Sequence, residues 1–413
     1  MKIGFAKTEI TPPVGTELGG YAGYRPCIGV HDPLWCKAVV LEQDGVRVGL
    51  LAMDLLSVDE SLSEAIAQAL KPLEIRHVLV AAIHSHATPC GIVLDQGPLA
   101  EVNRVSEKDP AGFAGYMQTV IRQCEAACRA ALDNMELFTL RKVQGPAPVI
   151  GSERHTGETA NLTMTAVQIL TESGRKLLLY QIPCHPTVLG PENRLASADF
   201  VAGIEKHLNV DMAVFLNGAA GDISTRFTRR EQSFEECDRL AEIAGAALNQ
   251  LMDDLPFSHP EPFRGVHTRV ALQPRPVEPP EAAVMALKKA TENWRKAIEA
   301  GESADKLRIL KSYVEGAGVA LEFSYTMAGI RELRLPVTVF SFGGLKFVTV
   351  PGEMFSSLWN LDAVPICYTN GYYRYIADEN AYDAGFYEAM AAILARGQGE
   401  EFLKKIAILL KNI

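Results

Sequence analysis

Short runs of Val, Ile and Leu alternate along the 413-residue chain with longer segments in which apolar positions recur at the spacing of a helix turn. A short apolar run predicts a buried strand, and the helical spacing predicts a helix with one buried face. This alternation predicts an α/β fold in which a layered, mixed β-sheet core is flanked by helices. Strands are expected at 38–41, 46–52, 77–83, 166–170, 177–183, 212–216, 266–272, 333–340, 345–350 and 364–368, and helices at 61–70, 112–135, 199–207, 233–255 and 384–411.

The segment 279–320 differs from the rest of the chain, because Ala, Glu, Lys and Leu dominate it. Gly301-Glu302-Ser303 marks a break, and Asp305 lies near the start of the second of two helices. We therefore predict a helical hairpin insertion, which either packs one apolar stripe on the surface or covers a binding cleft. Apolar runs lie on both sides of it and no Ser/Gly linker divides them, so residues 1–413 are predicted to form a single domain.

The charge balance argues against nucleic acid as a partner. The chain has 40 Lys and Arg residues against 50 Asp and Glu residues, a formal charge of −10, and no local cluster of Lys and Arg overrides it. An acidic surface repels a phosphate backbone and an anionic lipid surface. A small-molecule substrate is the expected partner, and the sequence leaves the oligomeric state open.

The cysteines and the N-terminus indicate the cellular compartment in which the protein is expected. The eight cysteines include no C-x-x-C pair and lie mostly in apolar surroundings, which predicts buried thiols in a reducing compartment. Glu9 and Pro12 interrupt the N-terminus before the apolar stretch of a secretory signal can form. No segment reaches the roughly 18 apolar residues that a membrane span needs. The sequence therefore predicts a cytoplasmic protein with no stable membrane anchor.

Reactive side chains follow several of the predicted strands directly. In α/β sheets, ligands bind at the carboxyl ends of strands, where loops from several strands meet. Core packing does not account for such clustering, so we expect a functional site at this edge of the sheet. The polar segments are His84-Ser-His86, His185-Pro186, 217–224, Pro351-Gly-Glu353 and 369–375.

Three of these segments offer metal ligands. His84 and His86 are two positions apart, which places both imidazoles on the same side of an extended chain. Together with His185 and the carboxylate of Glu353, they provide the nitrogen and oxygen ligands of a catalytic zinc site. For His84 and His86 alone, the alternative is a hydrogen-bonded pair beside a turn. The further ligands at matching strand ends favour a metal site.

The segment 217–224 runs from Asn217 through small residues to Asp222 and Ser224. Glycine lets the backbone approach a ligand closely, and Asp or Ser can exchange a proton with a water or a leaving group. The alternative is a strand-to-helix turn in which Asp222 or Ser224 caps the helix. Ser224 lacks the Gly-x-Ser-x-Gly context of an α/β-hydrolase, and no phosphate-binding glycine loop follows any predicted strand. Arg154 is either an anchor for a substrate oxygen or an ordinary surface arginine.

Several sequence blocks together indicate a family more specifically than any one of them does alone. They are Ala6-Lys-Thr-Glu-Ile-Thr-Pro-Pro-Val-Gly15, Gly29-Val-His-Asp-Pro33, Ile83-His-Ser-His86, Cys184-His-Pro-Thr-Val-Leu-Gly190, 217–224, Val350-Pro-Gly-Glu353 and 371–382. In this order, and over nearly the whole chain, they resemble the N-terminal catalytic domain of neutral/alkaline, non-lysosomal ceramidases and their bacterial relatives.

The resemblance implies a zinc-dependent hydrolase of an N-acyl amide bond, with Zn²⁺ held by two histidines, a glutamate and a tyrosine. Carried onto this chain, the ligands are His84, His185, Glu353 and Tyr375. Tyr372 is the competing choice, because members of the family also have a tyrosine three positions earlier.

The resemblance also implies roles for residues around the metal. His86, Asp222 and Ser224 match family positions implicated in catalysis, and Arg154 and Asn217 are the expected substrate contacts. In the predicted reaction, water attacks the amide carbonyl and His86 stabilises the developing oxyanion. Either Asp222 or His86 then carries the proton to the leaving nitrogen.

The sequence departs from the family after His86, where Ala87-Thr-Pro-Cys-Gly91 replaces a Ser-Gly-Pro-Gly stretch and changes the rim of the site. The acidic charge and the mixed-sign hairpin favour a water-soluble N-acyl amide with a short or polar acyl group over ceramide. The hairpin or residues 87–109 are expected to cover it. Two rival functions stay open: an esterase, lactonase or deacetylase that uses the same metal centre, and a catalytically silent protein that binds a small metabolite.

Overall fold

The computed structural model describes residues 1–91, 110–253 and 255–413. Each strand predicted from an apolar run is present, with ends that differ by a few residues from the prediction. In chain order the strands are β1 (Lys2–Glu9), β2 (Gly29–Val30), β3 (Trp35–Gln43), β4 (Val46–Met53), β5 (Ile75–Ala82), β6 (Glu136–Pro146), β7 (Ser152–Glu153), β8 (Thr163–Thr171), β9 (Lys176–Gln181), β10 (Leu195–Ala196), β11 (Met212–Phe215), β12 (Ile223–Ser224), β13 (Arg264–Leu272), β14 (Leu333–Phe342), β15 (Leu345–Thr349), β16 (Glu353–Met354), β17 (Val364–Ile366) and β18 (Tyr375–Ile376).

The helices agree with the prediction except at 199–207 and at the C-terminal end. The helix expected at 384–411 is divided, because Gly385 (φ 67°) and Gly397 (φ 81°) adopt left-handed backbone conformations that a right-handed helix cannot contain. The helix expected at 199–207 is a short α-helix followed by a 3₁₀ turn at Glu205–His207. In chain order the α-helices are α1 (Glu60–Leu70), α2 (Pro110–Leu132), α3 (Val201–Ile204), α4 (Phe234–Met252), α5 (Pro280–Glu299), α6 (Ala304–Thr326), α7 (Glu379–Ala384), α8 (Tyr387–Ala391) and α9 (Gln398–Leu409).

A mixed eight-stranded sheet lies at the centre of the fold, with the strand order β11-β9-β8-β6-β1-β3-β4-β5. β4 pairs with β5, and β9 with β11, in parallel, whereas the other neighbours are antiparallel. β1, which the apolar runs did not predict, occupies an interior position between β6 and β3.

A second sheet packs against one face of the first. Its order is β13-β14-β15-β17. Ile3, Phe5 and Val39 of the large sheet share an apolar layer with Phe340 and Phe342 of β14. Helices α1, α2 and α4 contact the large sheet, and α9 contacts β13 of the second sheet. The prediction of a layered α/β core flanked by helices is confirmed.

The predicted hairpin is formed by α5 and α6, which pack against each other. Its second helix also packs on α8, and the contact is close at Gly316, where an added Cβ would lie 2.6 Å from the Met390 methyl carbon. Of the other segment expected to cover the site, residues 92–109 lie outside the described residues. Within the described part of the chain, no helix is long and apolar enough to cross a membrane.

Candidate metal centre

The carboxyl ends of β5, β9 and β11 meet at one place. Asn217, which follows β11, donates hydrogen bonds of 3.2 Å from its side-chain amide to the backbone carbonyls of Ile83 and Cys184. These two residues directly precede His84 and His185. Asn217 therefore ties together the segments that carry the two histidines, although β5 and β9 are not neighbours in the sheet.

Three imidazoles form a cluster at this point. The candidate ligand nitrogens of His84, His86 and His185 all lie within 4.8 Å of one another, and this group could hold a metal ion. Nε2 of His86 is 3.4 Å from Nε2 of His84. The backbone at His84 is left-handed (φ 70°), so the segment turns here and does not stay extended as the two-residue spacing assumed. The two imidazoles nevertheless lie in one cluster.

The carboxylate of Glu353 completes the cluster. β16 and β18 pair in parallel, with Glu353 opposite Tyr375. Oε2 of Glu353 lies 2.9 Å from Nε2 of His185 and 3.2 Å from Nε2 of His84, while Oε1 accepts a 2.6 Å hydrogen bond from the hydroxyl of Tyr372. Burial disfavours the charged carboxylate, but the two histidines outweigh burial and hold the pKa of Glu353 well below its usual range.

The hydrogen bonds of the other ring nitrogens support a metal ion. Nδ1 of His84 lies 2.7 Å from the carbonyl oxygen of Leu56, and Nδ1 of His185 lies 2.6 Å from that of Ala220. Because a carbonyl only accepts, each Nδ1 carries a hydrogen, and Nε2 is the ring atom that each histidine turns toward Glu353. Burial lowers the pKa of His185, which favours the neutral ring. Imidazole nitrogens and a carboxylate oxygen are the usual donors of a catalytic zinc site, so this set of atoms fits a metal ion.

His86 differs from the other two histidines. Burial lowers its pKa well below the usual value, and His84 and His185 lower it further. Its Nδ1 is buried and, among the described residues, accepts or donates no hydrogen bond. The backbone of Gly20 and the ring of Tyr21 pack against the imidazole, with the two ring centroids 4.9 Å apart. His86 thus lies in the metal-binding cluster without the carbonyl contact that fixes the other two rings.

Arg154 is a largely buried cation beside Tyr375. Its Nη1 lies 3.4 Å from the hydroxyl oxygen of Tyr375 and 3.2 Å from the carbonyl oxygen of Gly221. Its Nε lies 3.1 Å from Oε1 of Glu388, and its side chain is 12% exposed. Burial opposes the charge of Arg154, but Glu388 and Tyr375 more than compensate and raise its pKa. The interpretation of Arg154 as an ordinary surface arginine is therefore wrong.

Asp222 binds the segment that follows Glu353. Its carboxylate accepts hydrogen bonds from the backbone N–H and hydroxyl of Ser356, at 2.6 and 2.8 Å, and from the backbone N–H of Ser357 at 3.3 Å. Burial raises its pKa to about 6. The adjacent Gly221 lies so close that a Cβ there would be 2.6 Å from the carbonyl oxygen of Glu353. Through these contacts Asp222 holds the segment after Glu353 in place, and its catalytic role stays a prediction.

Ser224 caps a short turn. Its hydroxyl accepts a 3.3 Å hydrogen bond from the backbone N–H of Arg226, at the start of the 3₁₀ turn Thr225–Phe227. Its backbone also forms an isolated β-bridge with His185. The cap is the structural alternative considered for this segment, and the catalytic role of Ser224 likewise stays a prediction.

Sequence reasoning missed Glu388. This residue is 1% exposed, and its Oε2 lies 2.9 Å from Nε2 of His155, whose ring stacks on Phe386. A glutamate in a short helix ordinarily indicates a solvated face. The one hint was Arg154 next to His155, since a guanidinium group that is largely buried needs an acidic partner.

Comparison with known proteins defines the fold. No protein-family description and no curated sequence matches the chain. Among solved structures, the neutral ceramidase from Pseudomonas aeruginosa superposes with a TM-score of 0.74 and 14% identity, over 99% of this chain and 73% of that chain. A ceramidase in complex with C2 superposes with a TM-score of 0.72 and 15% identity, over 98% of this chain and 73% of that chain.

The chain therefore has the fold of the neutral ceramidases, and the fold that the sequence blocks implied is confirmed. Within that fold it carries a buried group of three histidines that could hold a metal ion.

Proposed function

We propose that the protein is a zinc-dependent hydrolase that cleaves an N-acyl amide bond. The observation that carries this proposal is the approach of two imidazole Nε2 atoms, from His84 and His185, to within 3.2 Å of one carboxylate oxygen of Glu353. A ceramidase cleaves an N-acyl amide, so the shared fold supports the same class of bond as the substrate.

His84, His185 and Glu353 would hold the ion, with Tyr375 as the fourth ligand and His86 beside them. When bound, zinc would lower the pKa of a water molecule and polarise the amide carbonyl. The chain's own contacts prepare this set of ligands. The carbonyl groups that bind the two Nδ1 atoms hold the ring orientations, and the hydroxyl of Tyr372 keeps Oε2 of Glu353 turned toward the histidines.

We assign to His86 the transfer of the proton from the attacking water to the leaving nitrogen. The ring of His86 lies in the cluster and its Nδ1 is not fixed by a carbonyl, so the imidazole can accept a proton from water and deliver it to the leaving nitrogen. Asp222 is the poorer candidate, because both its oxygens accept hydrogen bonds from Ser356. Arg154 supplies a fixed positive charge next to the hydroxyl of Tyr375.

The proposed substrate is a water-soluble N-acyl amide with a short or polar acyl group. The formal charge of −10 supports it, because an acidic surface does not favour an anionic lipid surface. The hairpin surface points the same way, since α5 carries the mixed-sign pairs Lys296–Glu292 and Arg295–Glu299 and no cationic face. We further propose action in the cytoplasm, because the cysteines are free thiols, and no nucleic-acid partner, because the formal charge is −10.

The test combines metal analysis with a substrate panel. The purified protein is analysed for bound metals and incubated, without detergent, with N-acyl amides of graded acyl length, with matched esters and lactones, and with N-acetylated amines. Zinc together with cleavage of short or polar amides is the expected result. Turnover of esters or lactones alone would contradict the amide assignment, and a clear preference for long-chain ceramide would contradict the substrate class. Saturable binding without any product would contradict the hydrolase itself.

A further inference from the structure

A single buried carboxylate joins α8 to the segment that follows β7. Glu388 places Oε1 3.1 Å from Nε of Arg154 and Oε2 2.9 Å from Nε2 of His155. The residue is 1% exposed, and burying a carboxylate is costly unless it is paired. The two oxygens therefore face the side chains of two neighbouring residues of one loop at ion-pair distance.

The geometry of arginine transmits this contact to the site. A guanidinium group is planar and rigid, so a buried carboxylate that attracts its charge from the Nε side also determines where Nη1 lies. In Arg154 that Nη1 lies 3.4 Å from the hydroxyl oxygen of Tyr375 and 3.2 Å from the carbonyl oxygen of Gly221. The position of Glu388 thus determines where the positive charge of Arg154 meets Tyr375.

Packing holds α8, and with it the carboxylate, from several sides. The ring of Phe386 stacks on His155 with centroids 3.7 Å apart, and the ring of Tyr387 lies edge-on to Tyr375 at 6.1 Å. On its outer side, Met390 packs over Gly316 of the hairpin helix α6. Glu388 is consequently presented to Arg154 by a braced helix.

We propose that Glu388 is a positioning residue, which holds the guanidinium group of Arg154 against the hydroxyl of Tyr375. This inference rests on the proposed function, because Tyr375 matters to turnover only if it lies at a catalytic metal centre. Replacing the charge with an amide would free the guanidinium group to turn away from Tyr375. The loss is expected in kcat and not in KM, because Glu388 acts on a group of the centre and not on the substrate.

The test compares Glu388→Gln with Glu236→Gln at matched zinc content. Glu236 is a suitable control because it is 3% exposed and paired with Arg239, but lies on α4, outside the site. For Glu388→Gln, kcat is expected to fall by about 10- to 100-fold, the usual effect of removing a residue that orients a metal ligand, with KM unchanged. Glu388→Asp should restore part of the loss. Because Glu388 acts through Arg154, adding Glu388→Gln to Arg154→Gln should cause no further loss.

The outcomes separate the two proposals. Three outcomes would contradict the positioning role without affecting the proposed hydrolase. They are wild-type kcat in Glu388→Gln, an equal fall of kcat in Glu236→Gln, and fully additive losses in the double variant. A wild-type protein with neither zinc nor turnover would overturn the hydrolase and, with it, this inference. If Glu388→Gln does not fold, Glu388→Asp decides the matter, because a shortened carboxylate with wild-type kcat contradicts the role.

Discussion

The hydroxyl of Tyr372 donates a 2.6 Å hydrogen bond to Oε1 of Glu353. The other oxygen of this carboxylate faces Nε2 of His185 at 2.9 Å. In the sequence Tyr372 competed with Tyr375 as the tyrosine ligand, whereas in the structure the hydroxyl of Tyr375 faces Arg154. In the structure Tyr372 therefore orients Glu353, and the choice of Tyr375 as the fourth ligand stays a prediction.

Tyr372→Phe should therefore weaken the centre without abolishing it. The variant keeps the ring and removes the hydrogen bond to Glu353, so zinc affinity or kcat/KM is expected to fall by about 10- to 100-fold. Competition with a chelator and steady-state kinetics measure the two quantities. Tyr325→Phe is the control, because that side chain is 64% exposed. Complete loss of zinc in Tyr372→Phe would place Tyr372 among the ligands instead of Tyr375.

Asn217→Ala should lower the stability of the fold around the two histidines. Asn217 is fully buried, and its loss would leave the carbonyls of Ile83 and Cys184 without their donor. The expected cost is about 1–3 kcal/mol in the free energy of unfolding, with reduced zinc content. Denaturant unfolding measures it, and Asn249→Ala, at an exposed amide bonded to His207, is the control. An unchanged stability with a raised KM would instead support the substrate contact expected from the sequence.

Gly221→Ala tests the close approach of two segments. The added Cβ would lie 2.6 Å from the carbonyl oxygen of Glu353, so β16 must shift. Overpacking of this kind costs about 1–3 kcal/mol of stability, and we also expect weaker zinc binding. Gly318→Ala in α6 meets no atom within 4 Å and should stabilise the helix by about 0.5–1 kcal/mol. Equal effects of the two substitutions on zinc affinity would contradict the role of Gly221.

Acid stability should depend on Glu205, which pairs with Lys7 at 2.7 Å and Lys37 at 2.9 Å. Burial opposes its charge, but the lysines lower its pKa from the usual 4.5 to about 2. A lowered pKa in the folded state stabilises the fold above the unfolded value, and this contribution is lost as the pH falls from about 4.5 to about 2.

Glu205→Gln should remove this contribution. At neutral pH the variant is expected to be less stable by about 1–2 kcal/mol, a figure reduced for screening by solvent because the side chain is one quarter exposed. Unfolding titrations at a series of pH values through the two pKa values measure the effect. The difference in the free energy of unfolding between variant and wild type should shrink as the pH falls. A difference that stays constant would contradict the lowered pKa of Glu205.

Much of the fold could be predicted from the sequence, because strands buried on both faces are apolar throughout. β6 was missed for the opposite reason. Its Phe138 and Leu140 lie in the layer between the two sheets, and the polar Thr139 separates them along the chain. Alternation of this kind produces no apolar run, so a search for runs passes over it.

The strand-end argument also found the groups that cluster in the site, since His84, His185 and Glu353 directly follow apolar runs. The contacts that hold these groups could not be found in this way. The pairing of Glu388 with Arg154 depends on where α8 packs, and the bond from Tyr372 to Glu353 depends on the register of β16 and β18. Such relationships arise only in the folded chain.

The most direct test of the central claim is the zinc content of His84→Ala/His185→Ala, measured by elemental analysis on purified protein. His77→Ala/His259→Ala, which removes two exposed histidines, is the matched control. The wild type and the control are expected to contain near-stoichiometric zinc, and the variant of the site is expected to contain almost none, because the remaining donors do not make a zinc site. Near-stoichiometric zinc in purified His84→Ala/His185→Ala would contradict the account.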